Sequence, residues 1–179
     1  GHWDPHIWMD PVNARIMVEN LADGLAQSDP EYGERYRENG TAAAEQLDAW
    51  EGALREQLEG TKTAGLITFH DGFRYFAEAF DLPLLASIEE EEGSEASAKE
   101  INEIAGLVKE YSLPVIFTEV NGSDATAQAI ARETGCAVAQ LSMCMDGPEE
   151  GDLSTYLEGV RSNVNTIVSF FGGEELDQL

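Results

Sequence analysis

From residue 64 onward, short apolar runs rich in branched residues alternate with amphipathic stretches, and this alternation restricts the chain to a parallel sheet covered by helices. The runs at 64–69, 84–88, 115–118 and 137–141 read as strands buried on both faces, because they are short, mostly apolar and rich in branched residues. Between them, Phe73, Phe76, Ala77 and Phe80 share one helical face, as do Ile101, Ile104, Ala105 and Val108. A third, alanine-rich helix covers 124–133. The last runs over 152–171 with Tyr156, Val160, Val164, Ile167 and Phe171 inward, and Gly172-Gly173 ends it. The fold class is therefore α/β: a four-stranded parallel sheet with right-handed crossovers, flanked by helices.

The residues before the first strand carry only helical signals. Asp10 before Pro11 is a strong helix start, since a capping carboxylate precedes the residue whose missing N–H costs nothing at the first helical position. Ala14, Val18, Leu21 and Leu25 follow at helical spacing, predicting a helix that ends near Gln27. Ser28-Asp29-Pro30 repeats the start signal. Tyr32, Tyr36, Ala43, Leu47, Trp50, Leu54 and Leu58 then form one stripe, with Gly40 as a possible interruption and Gly60 as the stop. A long helical region thus precedes the sheet.

Composition narrows the partners. With 179 residues and 42% hydrophobic content the chain can bury a sizeable core, and one domain is the natural expectation from length. The formal charge of −25, from 35 acidic against 10 basic residues, argues against nucleic acid and anionic lipid and suits a cationic ligand. No apolar run approaches the roughly 20 residues needed to span a bilayer, and no charged and apolar leader opens the chain, which reads as a mature soluble domain or a fragment of one. Cys136 and Cys144 bracket the fourth strand, which would hold their Cα atoms roughly 26 Å apart. They are expected to be two thiols, and they lack the paired spacing of a structural zinc site.

Two histidines carry the chemistry. His70 ends the first strand run in Phe69-His70-Asp71-Gly72-Phe73-Arg74-Tyr75-Phe76, which places its imidazole at the carboxyl end of a buried strand, where open α/β sheets bind ligands. Asp71 is positioned either to fix the His70 ring or to cap the next helix. The second is His6, in Trp3-Asp4-Pro5-His6-Ile7-Trp8. His6 and His70 read as half of a metal site, and Glu119, which ends the third strand and faces the same crevice, is a candidate for a supporting position beside it. The run Glu89-Glu90-Glu91-Glu92 reads as a solvated loop, because successive side chains diverge and fix no oxygen cage. There is no glycine-rich phosphate fingerprint, no G-x-S-x-G elbow and no helical H-E-x-x-H.

In order and spacing, Asp4-Pro5-His6-Ile7-Trp8 before a long helix, Phe69 to Phe76, the Glu-rich 88–97 segment and Phe117-Thr118-Glu119 resemble the zinc/manganese solute-binding proteins of ABC importers, in their carboxy-terminal half. The resemblance covers essentially the whole chain. It implies a two-lobed receptor joined by one long rigid helix, with a metal between the lobes. Residues 1–62 would be the linker region and long helices, and 63–179 the carboxy-terminal metal-binding lobe. His6 and His70 would be ligands. The family's other histidine lies upstream of the Asp-Pro-His motif, where this chain has only His2, in the wrong position for it. The chain thus looks like a receptor without its amino-terminal lobe.

The resemblance further implies zinc rather than manganese, since manganese receptors of this type carry Glu at the position of His70, and nitrogen donors suit zinc. It implies an extracytoplasmic location, in the periplasm or lipid-anchored at the cell surface, a membrane ABC permease as partner, a monomeric receptor and no enzymatic reaction. Such receptors present a carboxylate after the fourth strand, but here the segment reads Gln140-Leu141-Ser142-Met143-Cys144-Met145-Asp146-Gly147, and counting places the missing acid at Ser142 or near Met145. Asp146, Cys144 and water remain alternatives for that position. Two rival readings stand beside the receptor: a metal-dependent hydrolase, which would need a carboxylate base beside an open coordination position, and a surface adhesin on the same fold.

Overall fold

A computed structural model describes residues 3–61, 63, 65–88, 96–120, 122–145 and 153–172. Two helices come first, α1 (Pro11–Ser28) and α2 (Gly33–Glu59), with single 3-10 turns at Ile7–Met9 and Pro30–Tyr32. Asp10 caps α1 as its position before Pro11 requires, accepting the Val12 backbone N–H at 2.8 Å. The α/β part follows in the order β1 (Leu66–Thr68), α3 (Arg74–Ala79), β2 (Leu84–Ser87), α4 (Ala98–Glu110), β3 (Val115–Glu119), α5 (Ala125–Thr134), β4 (Ala137–Leu141) and α6 (Leu153–Phe171). All neighbouring strands pair in parallel, in the order β2-β1-β3-β4.

Side chains alternate across the sheet into two cores. Leu66, Val115 and Phe117 point to the layer formed by α2, α3 and α6, where Phe73, Phe76, Leu54, Val160, Val164 and Ile167 are buried. Ile67 and Ile116 point to the other layer, built from Ile104, Ala105 and Val108 of α4 and Ala127 and Ile130 of α5. The chain therefore leaves β1 toward one face and β3 toward the other, although these strands are neighbours. A crevice opens at such a switch point, beyond the carboxyl ends of β1 and β3.

The expected strands occur, β4 at its expected bounds, while β1 is shorter than the apolar run that announced it; β1 and β3 are buried as expected, but β2 and β4, at the sheet edges, are only partly buried, with Gln140 exposed. The larger departure is in α1 and α2. Leu21 and Leu25, expected inward, are 62% and 41% exposed, and Tyr32 is exposed as well. The buried seam is Ala14, Ala22 and Ala26 against Gly33, Gly40 and Ala44. Gly40 does not interrupt α2. A Cβ there would lie 2.5 Å from Cβ of Ala22, so the absence of a side chain is what lets the two helices cross so closely. Gly60 follows the last turn of α2 at φ −78, without the left-handed conformation expected of it, whereas Gly172 ends α6 at φ 87. The acidic run at 89–92 lies outside the described residues, and among the described residues no helix is long and apolar enough to cross a membrane.

Candidate metal centre

His6 reaches the crevice because its segment is fastened on both sides. Met9, three residues on, is fully buried in the main core. The Trp8 indole N–H donates to the Met143 carbonyl at 2.9 Å, and the Tyr156 hydroxyl donates to the Trp8 carbonyl at 2.6 Å. Burial of Tyr156 pushes its hydroxyl far above the usual range, so it stays a donor. These two bonds tie the segment carrying His6 to the loop after β4 and to α6. The His6 ring also meets the Trp8 ring edge-on at 5.5 Å, while Trp3 stands out in solvent.

His70 follows β1 by two residues. The Thr68 hydroxyl donates to its carbonyl at 3.1 Å, and Phe69 N–H donates to the Phe117 carbonyl at 2.9 Å, so the strand end is held next to β3. Gly72 makes room for the ring: a Cβ there would stand 2.6 Å from Cδ2 and 3.0 Å from Nε2 of His70. Asp71 does neither of the things expected of it. It is no cap, since Phe73 occupies that position of α3, and its nearest charged partner is Arg74 at 3.9 Å.

The two imidazoles converge. Nε2 of His6 lies 3.4 Å from Nε2 of His70, with the rings nearly perpendicular, at 81° and 5.1 Å between centroids. Each ring has a carboxylate behind it: Asp4 Oδ1 is 2.8 Å from His6 Nδ1, and Glu119 Oε2 is 3.8 Å from His70 Nδ1. A crevice of about 500 Å³ opens beside them, lined by Trp3, Asp4, Pro5, His6, His70, Asp71 and Arg74. Two nitrogens on one tetrahedral zinc, each at 2.0–2.1 Å, lie about 3.3 Å apart, so the observed separation fits a single ion bridging both rings.

Of the sequence candidates, His6, His70 and Glu119 thus come together, with Glu119 at the back of a ring. Among the described residues no histidine, cysteine or carboxylate completes a three-donor cluster with them. Asp146 lies outside the described residues. Cys144 is a free thiol packed toward α6, where a Cβ on Gly159 would touch its sulfur at 2.9 Å, and burial pushes its pKa up to about 11. Cys136 is likewise free. The Ser142 backbone is clasped by the buried Asn163 side chain, which accepts its N–H at 2.7 Å and donates to its carbonyl at 2.8 Å. Asp4 and Gly72 are the residues that the sequence reading passed over. Their signals were present as an acid two residues before a histidine and a glycine two residues after one.

Residues 1–170 match the family model of the periplasmic zinc-uptake complex component A, ZnuA. The chain belongs to this family of metal-binding solute-binding proteins. The iron-binding protein YfeA of Yersinia pestis is 31% identical over 178 residues, 96% of this chain and 56% of YfeA. The zinc-binding protein AdcA of Streptococcus pyogenes serotype M1 is 30% identical over 173 residues, 93% of this chain and 33% of AdcA. Among solved structures, one of ZnuA superposes with a TM-score of 0.83 at 27% identity, covering 94% of this chain and 60% of that one. The laminin-binding protein Lmb of Streptococcus agalactiae gives 0.81 at 29%, covering 94% and 65%. The chain thus spans about half the length of YfeA and a third of that of AdcA.

Proposed function

We propose that this chain is the carboxy-terminal half of an extracytoplasmic zinc receptor that delivers its ion to a membrane ABC permease. The observation that carries the reading is the 3.4 Å approach of the two Nε2 atoms at the switch-point crevice. His6 and His70 are ligands in this reading. A third donor comes from an amino-terminal lobe, and the fourth from Asp146, Cys144 or water. The apolar side of α1 that carries Met17, Leu21 and Leu25 is the surface such a lobe would cover.

Imidazole nitrogens favour zinc over manganese, which prefers oxygen donors, and zinc is the metal named for AdcA. Manganese is the alternative cargo. Catalysis is less well supported, because Asp4 and Glu119 face the Nδ1 atoms and stand behind the rings, away from the side where a base would act on a bound water. Zinc titration of the chain and of His6→Ala and His70→Ala tests the reading. Loss of binding in both variants, with unchanged circular dichroism, is expected, and retention in either one refutes its ligand role. Adhesion is a second reading, favoured by the likeness to Lmb. Binding to laminin with and without zinc separates it from transport.

A further inference from the structure

We infer that Asp4 is a positioning residue that holds His6 in the tautomer protonated at Nδ1, leaving the Nε2 lone pair in the crevice for a divalent cation. The inference rests on His6 being a ligand, as proposed above. Oδ1 of Asp4 accepts the His6 backbone N–H at 3.0 Å and lies 2.8 Å from Nδ1 of the same residue. A carboxylate oxygen can only accept, so the hydrogen of the second bond belongs to the ring, and a neutral imidazole with its hydrogen on Nδ1 carries its lone pair on Nε2. That Nε2 is the atom 3.4 Å from Nε2 of His70. Pro5 between the two residues fixes the backbone so that the Asp4 side chain turns back onto the residue two ahead.

The other oxygen of Asp4 works against the fold. Oδ2 is buried without a hydrogen-bond partner among the described residues, and a buried oxygen left unpaired is a cost to stability. What Asp4 gains lies at the imidazole, where an acceptor behind the ring fixes its orientation and strengthens the opposite nitrogen as a donor to a cation. His70 is held differently: Glu119 at 3.8 Å from its Nδ1 is too far for a hydrogen bond, so it supplies charge without fixing a tautomer. The site has one locked and one adjustable ring. The same neighbour that locks His6 would thus pre-orient it before any ion arrives.

Long-range proton–nitrogen correlation spectra of the intact metal-free chain read the tautomer directly. His6 is expected to carry its proton on Nδ1 in the wild type and in Asp4→Asn, whose amide oxygen can accept the same bonds, and to become a mixture in Asp4→Ala. Zinc affinity is expected to fall about 10- to 100-fold in Asp4→Ala and to recover in large part in Asp4→Asn. A wild-type His6 protonated at Nε2, or a tautomer unchanged in Asp4→Ala, overturns the inference. The wild-type measurement needs no variant, so failure of Asp4→Ala to fold does not shield it. A locked tautomer with no zinc binding by any of the three proteins would refute the function proposed for the site and leave the lock standing.

Discussion

Replacing Gly72 by alanine tests how closely the site is built, because the methyl group enters the space of His70, the ligand proposed from the first strand's end. The new Cβ would lie 2.6 Å from Cδ2 of His70 and 2.4 Å from the terminal methyl of Met143. Carbon atoms rest at about 3.5 Å from one another, so the ring must retreat by about 0.9 Å or the turn at 71–73 must open. Met143 is unbranched and can swing aside. The imidazole can retreat only by displacing Nε2, because the edge being pressed is the one that carries it. Zinc affinity should fall about 10- to 100-fold, as it does when a residue supporting a ligand is lost, or by about 1.4 to 2.7 kcal/mol. Stability should fall by about 1–3 kcal/mol, the cost of crowding the buried Met143, with no backbone strain added because Gly72 is not among the glycines at positive φ. The assay is a competition titration against a coloured zinc chelator, paired with thermal melting followed by circular dichroism. A folded Gly72→Ala that binds zinc within twofold of the wild type would refute the argument. The double variant with Met143→Ala should remain impaired, and recovery there would mean that the methionine, not the ring, was the obstacle.

Changes at four further residues have expected outcomes. His70→Glu should weaken zinc more than manganese in titration calorimetry, because it exchanges a borderline nitrogen for a hard oxygen; equal losses would mean that His70 is no ligand. In a Cys136→Ser background, Cys144 should alkylate slowly at pH 8 until the chain is denatured, since burial lifts its pKa from 9.0 to about 11. The unfolded thiol ionises from about pH 9 while the folded one keeps its proton, so its contribution to stability is complete below pH 9 and is lost as pH rises toward 11; urea midpoints for Cys144→Ser should fall less steeply over that window. Leu47→Ala, fully buried between Ala14 and Leu157, should cost about 2–5 kcal/mol in urea unfolding. Leu21→Ser, on the open side of α1, should stay within about 0.5 kcal/mol, and a large loss would show that this side is covered in solution.

The sequence by itself determined the parts whose signals are local. Period and length separate the buried strands 115–119 and 137–141 from the helices between them, and Asp10-Pro11 starts a helix wherever it occurs, because capping uses only neighbouring backbone. The two histidine motifs were legible for the same reason, each being contiguous. Other features depend on what an element meets. Leucines at helical spacing marked α1, but its buried side is the one with Ala22 and Ala26, because Gly40 and Gly33 of α2 let that side approach closest. The 3.4 Å pairing of His6 and His70 is likewise tertiary: 64 residues separate them, and the order β2-β1-β3-β4, the crevice it opens and the bonds from Trp8 and Tyr156 bring them together. Side-chain direction across that crevice also put Glu119 behind a ring. A strand-end residue announces its layer in the sequence, but which atom of a neighbour it faces is decided only when the strands pack.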